Sequence, residues 1–261
     1  AVRSLEDCPL FNAGRGAMWG QTVTALLTTL AYGDLPVNGG LWRPLSIELG
    51  PPGTLVHPLP PAPVSDGHAE VGMRACKMTR EVLSQALALS DDPTLRARVG
   101  GRAHDGTPVS ALYGKNQHGG TSVILYLDSP TGIGGGAQSI QDGQDGYGST
   151  CMTGCGLSDL ETHEADDPVL FLWRRVVANS GGPGQFRGGQ ALEQAFALAY
   201  VDSLGGPAWN SCAEVPAAGF GGGFPGAGSS YYIVRDPNLR ELLARGETPL
   251  PERLEGRREV T

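Results

Sequence analysis

Glycine in this chain comes in blocks, and the longest of them, Gly134-Gly135-Gly136-Ala137-Gln138-Ser139-Ile140-Gln141-Asp142-Gly143-Gln144-Asp145-Gly146, constrains the fold more than any other stretch. Residues without a Cβ let two backbones approach closely, and they weaken both helix and strand interiors. With 40 Gly and 20 Pro in 261 residues, the chain reads as loop-rich and tightly packed. Apolar residues still make up 40% and recur in organised runs, which excludes a disordered chain.

Two parts follow from the pattern along the chain. Residues 1–100 are helical and loop-rich. Met18, Trp19, Val23, Leu26, Leu27 and Leu30 step by three and four, predicting a helix over 16–32 that Gly33 ends. A second helix is predicted over 68–89, capped by Asp66, with Val71, Ala75, Met78, Val82, Leu83, Ala86 and Leu89 as its buried stripe. Between them, Leu45–Leu49 and Thr54–His57 are short strand candidates around Gly50-Pro51-Pro52-Gly53. Residues 101–261 are β-rich, with strands expected at 109–113, 122–128, 169–177, 191–201 and 231–234. A short helix over 238–244 then ends at Gly246, and the charged last dozen residues are expected to be mobile. The fold class is α+β, a glycine-rich mixed sheet with packed helices.

The net charge of -8 and the scarcity of lysine, with only Lys77 and Lys115, speak against nucleic acid or an anionic membrane as partner. No run of about eighteen apolar residues suits a bilayer, and the N-terminus lacks a signal peptide's charged start and apolar core. The expected address is the cytoplasm. There the five cysteines stand as thiols, and a preceding polypeptide or partner is expected before Ala1.

Nucleotide motifs fail: Lys115 follows Gly114 without the spacing of a phosphate-binding loop, and no Gly-x-Ser-x-Gly elbow is present. Asp142 and Asp145 beside so many glycines are candidates to take a proton or a cation, or else to bond their own backbone as turn residues do. His118 precedes an apolar strand, where catalytic groups often sit. Glu161, His163 and Glu164 form a polar triplet; Glu161 and His163 share one face if the backbone is extended, but the set is short of ligands for a metal. Cys151 and Cys155 lack the second pair of a zinc site.

Several separated strings resemble one family. Asp34-Leu35-Pro36-Val37-Asn38-Gly39-Gly40-Leu41-Trp42-Arg43-Pro44 is similar to its "dIPxNeGxxRP" stretch, and Pro52-Gly53-Thr54-Leu55-Val56-His57-Pro58 to the following "pxGTllnP" turn. Asp142-Gly143-Gln144-Asp145-Gly146 resembles "rDGxDG", and Asn179-Ser180-Gly181-Gly182-Pro183-Gly184-Gln185-Phe186-Arg187-Gly188-Gly189 resembles "dSGGpGryRGG". By these the chain is identified as a member of the hydantoinase B, oxoprolinase and ketone carboxylase B-type subunit family, and resembles its C-terminal half. The strings 221–226 and 235–241 look more like the acetone and acetophenone carboxylase branch.

The resemblance implies an ATP-dependent complex, either a ketone carboxylase (a ligase) or a hydantoinase or oxoprolinase-type cyclic amide hydrolase. An A-type subunit binds ATP and phosphorylates an enolate, a lactam oxygen or a carboxy group, and the B-type subunit forms the chamber where the activated species reacts. The N-terminal half of the B-type subunit is the other implied partner, and a small ketone or cyclic amide the substrate. A divalent metal (Mn, Fe or Zn) is implied in the complex but outside this chain, because the family's Asp and His motif has no counterpart here. His118, Asp142, Asp145, Glu161 and His163 are the expected polar walls, with Arg187 as a brace of the glycine turn. A noncatalytic scaffold is the reading from another class.

Overall fold

The computed structural model of the chain describes residues 12–30, 34–36, 38–64, 71–101, 109–125, 132–148, 157–209 and 215–260. The expected helix stop at Gly33, the cap at Asp66, the start at His68 and the Cys151/Cys155 pair lie outside them.

Two helices make one layer. α1 spans Arg15–Leu30, and the hydroxyls of Thr22, Thr24 and Thr28 donate back to the carbonyls of Met18, Gly20 and Thr24, which lets a Thr-rich segment stay helical. α2 spans Met73–Ala88 and packs on α1 through a small cluster of Ala25, Met73 and Cys76. Arg80 adds a hydrogen bond to the Thr28 hydroxyl at 2.9 Å, and Ser84 donates to the Gly100 carbonyl at 3.0 Å. Of the stripe expected to be buried, Met78, Val82, Ala86 and Leu89 are exposed and Val71, Ala75 and Leu83 half-buried, while Met73, Cys76, Lys77 and Ser84 are inside. The contact with α1 uses the side of α2 that carries Met73, Cys76 and Arg80. α3, Pro93–Arg96, is a single turn capped by Asp92, whose carboxylate accepts from the Thr94 amide at 2.8 Å. The two strand candidates before α2 are not strands. Only an isolated bridge joins Thr54 to His57, and Trp42, in the helical turn Gly39–Trp42, stacks near Trp19 at 5.3 Å.

Among the described residues the β part is three small antiparallel sheets. β1 (Val109–Lys115) and β2 (Thr121–Leu125) form a hairpin, and β5 (Ala208–Trp209) adds to its other edge. β3 (Val169–Val176) pairs with β4 (Leu192–Leu198), with an irregularity in register between Phe171 and Trp173. Ile124 and Val169 are buried together, with Leu112, Phe171, Phe196 and Leu204 packed around them, so the hairpin's inner face lies on this ribbon. α4, Leu160–Asp166, is capped by Asp159 and tied to the ribbon by the Glu164 carboxylate, which accepts from the Phe171 amide at 2.7 Å. β6 (Tyr232–Arg235) is followed by α5 (Leu239–Ala244) and then β7 (Arg257–Val260), which pairs with β6. The charged tail expected to be mobile is therefore an edge strand. Its side chains find partners on β6, with Arg235 bonded to Glu259 at 3.1 Å and the Arg258 guanidinium over the Tyr232 ring at 5.2 Å.

Candidate functional site

Three glycine strings, distant in sequence, are stacked backbone on backbone. Gly189 donates to the Gly135 carbonyl at 2.8 Å, Gly135 to Gln144 at 2.9 Å, Gly143 to Arg187 at 2.8 Å and Gly146 to Gln190 at 2.9 Å. A Cβ on Gly189 would overlap the Gln144 carbonyl, and one on Gly143 the Gly135 carbonyl, so no other residue fits at either place. The third string joins at Gly182 and Pro183: Phe224 donates to Pro183 at 2.9 Å and Ala227 to Ser180 at 2.9 Å.

Polar side chains lock this junction. The Asp142 carboxylate accepts from the Arg187 amide at 2.9 Å. The Asp145 carboxylate accepts from the Arg187 guanidinium at 2.8 and 3.4 Å and from the Gln190 amide at 2.7 Å. Hydrogen bonding to Arg187 first, and then to Gln190, holds the Asp145 carboxyl below the usual range, and the same pair raises Arg187. Gln190 closes the string on itself, its side-chain carbonyl accepting from the Ser180 amide at 2.8 Å and hydroxyl at 3.0 Å. Both aspartates thus hold the wall with the oxygens that the sequence offers for proton or cation chemistry. Nothing in the spacing pointed to Gln190 or Ser180 as the other half of the lock.

His163 and Glu161 lie on a helix, not a strand, and residues two apart on a helix do not share a face. Glu161 is exposed in the first turn. His163 instead turns its Nδ1 to the Asp167 carboxylate at 3.0 Å and sits 6.2 Å from the Phe171 ring. Ser122 donates to the other Asp167 oxygen at 3.3 Å. The β1–β2 turn meets the same helix end: Gln117 donates to the Ala165 carbonyl at 2.8 Å, and exposed His118 has its Nε2 3.4 Å from that oxygen. The structure therefore groups the five candidates in two places, Asp142 with Asp145 at the glycine junction and Glu161, His163 and His118 around α4. Asp167, four residues after His163, is legible only to a reader who takes this segment as a helix.

A cavity of about 1340 Å³ opens between the β3–β4 ribbon and the glycine strings. Trp173, Phe196, Gly181 to Gly184 and Phe220 to Gly223 contribute to its lining, and none of the five candidates does. Among the described residues no three His, Cys, Asp or Glu side chains come together as a metal requires, so these residues do not fit one. No described helix is long and apolar enough to cross a membrane.

The family model for hydantoinase B/oxoprolinase matches residues 9–258. The chain belongs to this family. It is 30% identical to the caprolactamase subunit beta of Pseudomonas jessenii over 213 residues, covering 80% of this chain and 34% of that protein. With the acetophenone carboxylase delta subunit of Aromatoleum aromaticum it shares 25% over 244 residues, 88% of this chain and 34% of the relative. The solved nucleotide-free acetone carboxylase has the same fold at a TM-score of 0.76 and 19% identity, over 97% of this chain and 34% of that one. This hydantoinase B-type chain thus spans about a third of the length of those relatives.

Proposed function

We propose that the chain walls the reaction chamber of an ATP-dependent ketone carboxylase, where an enolate phosphorylated by an A-type subunit takes up bicarbonate-derived carbon. The observation that carries this reading is the glycine junction. The 221–226 string, one of the two that resemble the ketone carboxylase branch, lies along the cavity in a segment whose Phe224 and Ala227 amides donate to Pro183 and Ser180. A wall made of backbone is rigid and excludes water, which an activated phosphate ester needs to survive until the bond changes. Arg187, Asp142 and Asp145 act here as positioning residues that keep the strings in register.

His163 does not line the cavity, and its proposed role is to relay a proton towards it rather than to touch substrate. Asp167 orients its ring through Nδ1 and leaves Nε2 as the atom that gives or takes a proton. His118, beside the C-terminal end of α4, and Glu161, in its first turn, are the further polar groups of this proposal. In the assembled complex, His163→Ala is expected to lower kcat by about a hundredfold or more with little change in KM; an unchanged kcat would remove His163 from the reaction.

The likeness to the caprolactamase subunit supports a second reading, ATP-dependent hydrolysis of a cyclic amide. Both start from a phosphorylated oxygen and differ in the attacking group, so substrate dependence separates them. ATP consumption by the purified complex is expected to require a ketone together with bicarbonate. Consumption driven by lactams or hydantoins, and not by ketones, would favour hydrolysis.

A further inference from the structure

We propose that Asn38 is a site of spontaneous deamidation through the Gly39 amide, and that the branched product of this reaction loosens the contact between Trp19 and Trp42. The inference stands apart from the assembly and the chemistry proposed above.

Asn38-Gly39 is the one Asn-Gly pair among the 261 residues. Glycine has no Cβ, so its amide nitrogen turns toward a neighbouring side chain at the least steric cost. The structure leaves that turn open. Asn38, Gly39 and Gly40 are exposed, nothing lies within 4 Å of where a Gly39 Cβ would stand, and among the described residues the Gly39 amide donates no hydrogen bond. The Gly40 amide donates to Asn38 Oδ1 at 2.8 Å. That bond draws electron density from Cγ and meets the oxygen as negative charge develops on it, which is the task of an oxyanion-hole donor.

In the reaction the Gly39 nitrogen attacks Asn38 Cγ and a C–N bond forms. The side-chain NH2 leaves with the Gly39 proton as ammonia, and a five-membered imide remains. Water opens the imide at either carbonyl. One opening gives aspartate; the other gives isoaspartate, in which the main chain runs through Cβ and Cγ and is one atom longer. Both products add a negative charge, and neither step needs an oxidant or a cofactor. The longer main chain displaces the turn Gly39–Trp42, whose Trp42 ring lies 5.3 Å from that of Trp19, which in turn has the Arg15 guanidinium over it at 5.2 Å.

The test is peptide mapping of the purified full chain during storage at mildly alkaline pH. The peptide holding Asn38 is expected to gain about 1 Da, sooner than those holding Asn12, Asn116, Asn179 and Asn238, and to resolve into aspartate and isoaspartate forms. Gly39→Ala, whose methyl meets no neighbour, should slow the gain at least about tenfold with an unchanged melting midpoint. Asn38→Asp carries the charge on an ordinary main chain, so its tryptophan fluorescence should match the fresh parent, while the stored parent shifts. An Asn38 peptide that keeps its mass while another asparagine reacts, or a Gly39→Ala chain that deamidates as fast as the parent, would overturn the site. Isoaspartate with unshifted fluorescence would overturn its link to the tryptophan pair.

Discussion

Asp145 joins three donors from a string more than forty residues away. Its carboxyl is held below the ordinary value, so its contribution to stability is present above the unfolded pKa of about 3.9 and is lost as pH falls through the lower folded value. The melting midpoint of the parent chain should therefore exceed that of Asp145→Asn at neutral pH, and the gap should close below about pH 4. A gap independent of pH would show that the aspartate's charge does not matter to the junction. The two aspartates stand out in the sequence by their glycine neighbours, but their partner does not, because Arg187 reaches them only through the folded turn. Likewise His163 is conspicuous as a residue, while the Asp167 that orients it depends on α4 being a helix.

At the scale of elements, glycines of the same type have opposite meanings. Gly20 lies within α1 with nothing near the position of a Cβ, whereas Gly189 has the Gln144 carbonyl there. Gly20→Ala should raise stability by about 0.5–1 kcal/mol by restricting the unfolded chain and favouring helix. Gly189→Ala should lower the melting midpoint by at least about 5 °C, since the clash is with backbone that cannot rotate away. Equal effects in thermal melts would contradict the stacked-backbone account. Periodicity located α1, α2, β3, β4 and α5 to within a few residues, because local spacing carries that information. It misjudged which side of α2 is covered, and it missed β7, because burial and edge pairing depend on neighbours that no local window contains.

For the whole molecule, the α+β class and the family were legible because the glycine strings need particular residues for a steric reason. Their mutual contact, 134–146 against 180–190 and that against 219–227, was not, since no spacing rule links segments so far apart. The described residues form the glycine junction, a cavity and, outside its lining, a His163 ring held by Asp167. We propose that the energy source lies in a neighbouring polypeptide. Native mass spectrometry of the affinity-purified assembly, with each component sequenced, tests this most directly. The predicted result is this chain in stoichiometric company with an ATP-binding A-type subunit and further B-type sequence. A lone chain that binds nucleotide itself, or turns over substrate with no second polypeptide, would contradict it.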